Sequence, residues 1–317
     1  MNRVRDGGRS ARRLSDHIFA CQQLPGSWCQ SNVGIVQLDE VGSVALIDTF
    51  ATESRNRQLR RAIEGLGATS ISVINTHFHG DHTFGNSIFE DGEIIGTQVT
   101  AELMEISGDD LVRRQPMIDF GDVRVTPPTR LVSPREHLPT DWGGLELNEF
   151  RHAHTASDLT VYAPAEGVVF TGDIAWNGVT PFVLMGSILG SIESLEFLLE
   201  LHPETVVPGH GAVGGPEILR GTLGYLHDVL EYAEKGLSRG ASVWKTAEEF
   251  ERGTVGVGVD PERNIANIAR AFADLGADGD FDIVENLAVM ETWKVRRHEG
   301  PGPIQEGSTS PEGTQQG

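Results

Sequence analysis

Apolar residues arrive in this chain mostly as short runs. Residues 34–38 (GIVQL) and 44–47 (VALI) are aliphatic and β-branched, and 71–74 (ISVI), 167–170 (GVVF) and 205–207 (TVV) repeat the type. Runs this short, bounded by polar or glycine-containing segments, are predicted as buried strands. Residues 54–66 instead carry the spacing of an amphipathic helix, with Gly67 placed as its C-terminal cap. Ile192, Leu195, Leu198 and Leu199 recur at helical spacing ahead of Pro203, a further helix is expected from Pro216 to Leu237, and residues 241–297 read as mostly helical. Strand, helix and strand alternate along the chain, which predicts the α/β class; periodicity says no more than that.

Composition narrows the picture at both ends. The first 13 residues are rich in Arg, Gly and Ser and are expected to form a flexible basic arm, and 299–317, rich in Gly, Pro, Ser, Gln and Glu, a disordered tail. Between them a catalytic domain is expected over 14–240, with helices from 241–298 packed on the same domain. A chain of 317 residues, 38% hydrophobic, can bury a substantial core. The 25 basic and 46 acidic residues leave a formal charge of −21, which repels a phosphate backbone, so no nucleic-acid partner is expected. The N-terminus lacks the apolar segment of a signal peptide and no run reaches membrane-spanning length, so the expectation is a cytoplasmic protein without a membrane partner. In that setting Cys21 and Cys29 are read as reduced, buried, small apolar residues.

Four short motifs carry candidate chemistry. They are His77-Phe78-His79-Gly80-Asp81-His82, His154 within Arg151-His152-Ala153-His154-Thr155, Asp173 within Phe170-Thr171-Gly172-Asp173, and His210 within Pro208-Gly209-His210-Gly211. Three of the four follow a predicted strand, where side chains from several strands meet at one edge. His77 and His79, two apart in extended chain, can face the same way; Gly80 permits a change of direction after which Asp81 and His82 can face a second ion. Imidazole and carboxylate without thiolate suit two Zn2+, and iron or manganese ions fit the same ligand types. A carboxylate such as Asp173 can bridge two ions about 3.5–4 Å apart. His152 is read as a neighbour of the site and not as a ligand.

The motifs and their order resemble the metallo-β-lactamase superfamily over nearly the whole central part of the chain. The resemblance implies an αβ/βα four-layer sandwich with additional C-terminal helices. It also implies that one metal takes His77, His79 and His154, the other Asp81, His82 and His210, and that Asp173 joins the two. Residues 23–36 (QLPGSWCQSNVGIV), 75–86 (NTHFHGDHTFGN) and 177–187 (NGVTPFVLMGS) are similar to the second-ring cyclases of bacterial aromatic polyketide pathways, of the actinorhodin type. That likeness, over most of residues 16–240, implies a metal-dependent cyclase and thioesterase acting on a polyketide tethered to an acyl carrier protein.

Physically the expectation is coherent. A dication can chelate a 1,3-dicarbonyl, acidify the CH between the carbonyls and hold the enolate for aldol attack. Asp81 is the candidate proton acceptor and Asp173 the shared catalytic carboxylate. Trp28, Phe84, Trp176, Phe182, Leu184 and Met185 are candidates for an apolar enclosure that folds the substrate, and Asp158, four residues after His154, for a carboxylate that orients one of the ligands. Docking of an acidic carrier protein needs a local basic face, for which Arg55, Arg57, Arg60 and Arg61, or Arg113 and Arg114, are candidates. The alternative is a small-molecule thioester or lactone hydrolase, although the scarcity of Lys, at positions 235, 245 and 294, argues against the basic C-terminal region of glyoxalase-type thioesterases. A homo-oligomer is compatible with either.

Overall fold

The central strands of this chain are buried on both faces, and their side chains alternate between two different cores. The computed structural model describes residues 5–6, 9–254, 258–277 and 281–299. Arg5–Asp6 (β1) and Arg9–Ser10 (β2) pair with each other. Arg12–Arg13 (β3), Ile18–Cys21 (β4), Val33–Gln37 (β5), Ser43–Ile47 (β6), Ser70–Ile74 (β7), Ile94–Gly96 (β8) and Arg130–Leu131 (β9) form a seven-stranded sheet in sequence order. Its first four strands are antiparallel and the rest join in parallel. Arg135–Leu138 (β10), Leu145–Arg151 (β11), Ser157–Ala163 (β12), Val168–Asn177 (β13) and Thr205–Gly211 (β14) form a second sheet, antiparallel except for the parallel β13–β14 pair.

The two sheets face each other across a shared apolar layer. Ile18, Ala20, Val36, Ala45, Ile47 and Ile74 of the first sheet meet Leu147, Leu159, Val161, Phe170 and Val207 of the second. The intervening residues Phe19, Cys21, Ile35, Val44, Leu46 and Val73 point the other way, onto Leu59 and Ile63 of helix α1 (Glu53–Glu64). A strand turns successive side chains to opposite faces, so runs such as Val44 to Ile47 must be apolar throughout when both faces are covered.

The outer face of the second sheet is covered by α5 (Ile188–Glu200) and α6 (Glu217–Ser238); α7 (Val243–Gly253) and α8 (Arg263–Asp274) pack on α6, and α9 (Ile283–Glu299) packs on α8. The layering helix, sheet, sheet, helix is the sandwich expected from the sequence. Three shorter helices, α2 (Gly80–Thr83), α3 (Gln98–Ser107) and α4 (Asp110–Arg114), follow β7 and β8.

Local expectations are met with small shifts. Helix α1 stops at Glu64, and the chain closes it through Gly67 at φ +99°, whose N–H bonds to the Glu64 carbonyl. Pro216 directly precedes α6. The arm expected over residues 1–13 differs at its end: Arg12 and Arg13 pair with Ala20 and Phe19, and Ala11 is buried. The rest of that call, residues 1–4 and 7–8, and the tail beyond 299 lie outside the described residues. Cys21 and Cys29 are both buried, and no described helix is long and apolar enough to cross a membrane.

Phe170 fills the layer between the sheets and is 2% exposed. Phe170→Ala should lower stability by about 3–5 kcal/mol through lost transfer energy and the cavity left behind. Urea denaturation checks this; a loss under about 1 kcal/mol would mean the sheets close over the gap.

Candidate metal centre

The seven side chains singled out in the sequence converge at one edge of the sandwich. His77 and His79 leave the end of β7, Asp81 and His82 sit in α2, His154 lies in the β11–β12 turn, Asp173 in β13 and His210 in β14. The last two are not beyond their strands, as the runs 167–170 and 205–207 suggested, but inside them. Strand β13 shifts register around Gly172 and continues to Asn177, so Asp173 is held rigidly by sheet on both sides.

Two groups form. His77, His79, His154 and Asp173 bring ligand-capable atoms within 4.8 Å of one another, and so do Asp81, His82 and His210. Asp173 stands between them, its Oδ2 3.5 Å from Nε2 of both His154 and His210 and its Oδ1 3.2 Å from His82 Nε2. Gly209 makes this approach possible, since a Cβ there would lie 1.8 Å from Asp173 Oδ1.

Backbone and polar acceptors fix the outer nitrogens. His210 Nδ1 is 3.0 Å from the Gly26 carbonyl, His154 Nδ1 2.5 Å from the Phe182 carbonyl, His82 Nδ1 2.8 Å from Asp48 Oδ2, and His77 Nδ1 3.0 Å from Thr76 Oγ1. A ring that donates from Nδ1 presents a bare lone pair at Nε2. Those lone pairs point at one another: His154 Nε2 is 3.0 Å from His79 Nδ1, and His82 Nε2 is 3.3 Å from His210 Nε2. His77 Nε2 is buried without a hydrogen-bond partner. Facing lone pairs and an orphaned buried nitrogen, beside two carboxylates, fit divalent cations coordinated by nitrogen and oxygen.

Electrostatics keep His77, His79, His154, Asp81 and Asp173 in ligand form. Burial drives the His77 imidazole well below its ordinary range, His79 down to about 4 and His154 to about 3, so these rings are neutral near pH 7. Burial opposes ionisation of Asp173 and Asp81, but the imidazoles of His210 and His82 outweigh it and hold both carboxyls well below the usual range. Burial also opposes protonation of His82, yet Asp173 and Asp48 together hold it well above the usual imidazole range.

Other expected site residues divide. Trp28, Phe84, Trp176, Phe182 and Met185 line a cleft, partly open to solvent, that ends on His79, Asp81, Asp173 and His210. Leu184 does not join them: it and Val183 are buried in the core beneath the second sheet, between Phe182 and Met185, which line the cleft. Asp158 does not reach the His154 ring. Its oxygens accept from Thr155 N at 2.8 Å and Thr155 Oγ1 at 3.0 Å, fixing the turn and not the imidazole. Burial pushes its pKa up to about 7. His152 is exposed, at φ +57°, outside both groups.

Three contributors were missed from sequence. Asp48, at φ +62° immediately after β6, bonds both His82 and Thr76; a lone carboxylate at the end of a buried strand was the available signal. Phe78 joins the cleft wall, and so does Arg263, from a helix far along the chain that no local pattern connects with the motifs. The proposed basic faces are largely neutralised: Arg57 pairs with Glu53, Arg60 with Glu64 and Asp91, Arg113 with Asp109, and Arg114 with Asp110.

A sequence model of the metallo-beta-lactamase superfamily matches residues 26–210. Among solved structures, VMB-1 at pH 5.5 superposes with a TM-score of 0.56 at 21% identity, covering 68% of this chain and 95% of that one. The DIM-1 metallo-beta-lactamase exposed to ceftazidime gives 0.55 at 18% identity, covering 68% and 95%. At these identities the likeness extends to the fold alone.

Asp173→Ala should weaken binding at both groups, whereas Asp48→Asn, which leaves every candidate ligand in place, should cost about 10–100-fold in affinity. Competition with a chromogenic chelator measures both, and full binding by either variant would contradict the arrangement. The pH response of metal-stripped protein follows from His79 and His154. Their folded values of about 4 and about 3 lie below the ordinary 6.5, so as pH falls the unfolded chain takes up protons first. The stability they contribute is complete above about 6.5 and is lost on descending towards 4. Denaturation midpoints from pH 7.5 to 4 should therefore decline, and less steeply in His79→Ala.

Proposed function

The chain belongs to the metallo-β-lactamase superfamily, and on that premise we propose that it is a binuclear, zinc-dependent cyclase and thioesterase. Its substrate is an aromatic polyketide intermediate carried as a thioester on an acyl carrier protein or a small thiol. One observation carries the reading: the wall directly above the metal-capable cluster is aromatic. Trp28 meets Phe182 edge-on at 5.3 Å, Trp176 stacks on the His210 ring at 4.8 Å, and Met185 Sδ lies 3.3 Å from His79 Nε2. Flat, electron-rich surfaces of this kind suit a planar conjugated substrate and exclude water from its reacting carbons.

Two divalent cations, when held by His77, His79, His154 and Asp173 on one side and Asp81, His82 and His210 on the other, supply Lewis acidity towards the substrate's carbonyl oxygens and towards water. The chain's own groups do the rest. Asp81, ionised and partly open to the cleft, is placed to take the proton from the CH between two ketones. The carbanion then attacks a second ketone carbon, the new alkoxide is protonated, and loss of water gives the ring. Phe84, Trp28 and Phe182 hold the chain folded while this happens. Water attack at the thioester carbon expels the thiol and releases the acid.

Ring closure needs a folded chain, whereas hydrolysis needs one carbonyl placed at the cluster. Met185→Ala, which removes a wall residue outside the core, should therefore shift products from cyclised to linear or shunt species while keeping much of the thioesterase rate, and His79→Ala should abolish both. Product chromatography on a small-thiol ester of a partly cyclised polyketide, run beside melting curves, reads this out. Rapid lactam or simple thioester hydrolysis with no cyclised product would favour a generic hydrolase.

A further inference from the structure

Arg263 is the largest fully buried side chain among the described residues, at 1% exposure. It belongs to α8, beyond residues 26–210, which match the family, yet its guanidinium lines the cleft. The planar group lies 4.0 Å from the Trp28 ring centre and 4.9 Å from that of Trp176. Trp176 is the indole that stacks on His210, so the cation stands one aromatic ring away from the candidate metal cluster.

Its hydrogen bonding is incomplete. Nη1 donates to the Thr180 carbonyl at 3.0 Å. Nη2 is 3.2 Å from Asp260 Oδ2 without the alignment of a hydrogen bond, and Nε, also buried, meets no acceptor. A buried guanidinium with spare donors is costly to keep unless something accepts from them. Arg114, the other arginine of the cleft, differs in having its Nε on Asp110.

We propose that Arg263 is a substrate-positioning residue that receives an oxyanion, carboxylate or phenolate, borne on a flat aromatic substrate whose reacting carbonyl lies at the metal cluster. Phe84, Phe182 and the outer side of Trp28, which line the same cleft, flank the conjugated plane while the guanidinium edge takes the charge, which fixes the register of the ring system along the cleft. The helix that carries it also braces the wall: Asn267 accepts from Val183 N at 2.9 Å and donates to the Pro181 carbonyl at 2.7 Å. The proposal rests on the cyclase reading for its substrate class, but its test needs no turnover.

The full chain loaded with zinc is titrated with 3-hydroxy-2-naphthoate and with its methyl ester, following quenching of tryptophan fluorescence. The wild type should bind the carboxylate at least about tenfold more tightly than the ester. R263Q should reduce that preference by about tenfold while ester affinity stays within about twofold, and R263K, which keeps the charge but lacks the fork, should fall between. Zinc content and melting temperature are measured on each variant, and because the metals act on the carboxylate in all of them, the ratio isolates the arginine. An unchanged preference in folded, zinc-loaded R263Q overturns the proposal; should R263Q not fold, a wild-type preference in R263K does so. Absence of cyclised product from the polyketide ester would count against the cyclase reading and leave this ratio to be judged separately.

Discussion

Everything at the site depends on tying down the outer nitrogen of an imidazole. Four histidines have Nδ1 against a fixed acceptor, two of these being backbone carbonyls at Gly26 and Phe182, one a hydroxyl and one the carboxylate of Asp48. Each contact turns a ring and selects its tautomer, so that bare nitrogens meet in a buried space with Asp173 and Asp81. Lone pairs crowded in this way repel unless a cation lies among them. A cation held among these nitrogens would be coupled to the fold, because the contacts that orient the rings are the ones that build the site.

The sandwich supplies the rigidity this requires. Asp173 and His210 belong to adjacent parallel strands paired on both sides of the irregularity at Gly172, while His77 leaves the neighbouring sheet at the end of β7. Apolar side chains of both sheets interlock behind them, and a close-packed layer transmits displacement instead of absorbing it. Ligand geometry is therefore set by the fold's most stable part, and the loop 179–185, braced from α8, is left to shape what enters.

That brace gives the C-terminal helices a role beyond covering the second sheet. Helix α8 holds the wall through Asn267 and Arg263, and Tyr225 of α6 bonds to both Asn264 and Asn267. These polar contacts sit within an otherwise apolar cluster, where directional hydrogen bonds favour one arrangement of a loop that packing alone would leave with several. The cleft is thus assembled from the metal-bearing half of the chain and a helical region that follows it.

What the sequence determined by itself was local and periodic. Runs such as 44–47 and 71–74 could only be strands buried on both faces, the 54–66 pattern only a helix, and seven imidazoles and carboxylates in ordered motifs only a cluster. A period of two or of 3.6 is written in neighbouring residues. Tertiary structure decided whatever depends on which of two buried faces a residue takes and on partners distant in the chain. Leu184 and Met185 look alike in sequence, yet one enters the core and the other the cleft. Asp158, near His154 in sequence, serves the turn, while Asp48, 34 residues from His82, holds that ring. Arg263 reaches the cleft only because α8 folds back onto α5 and α6, a placement fixed by packing between helices distant in the chain.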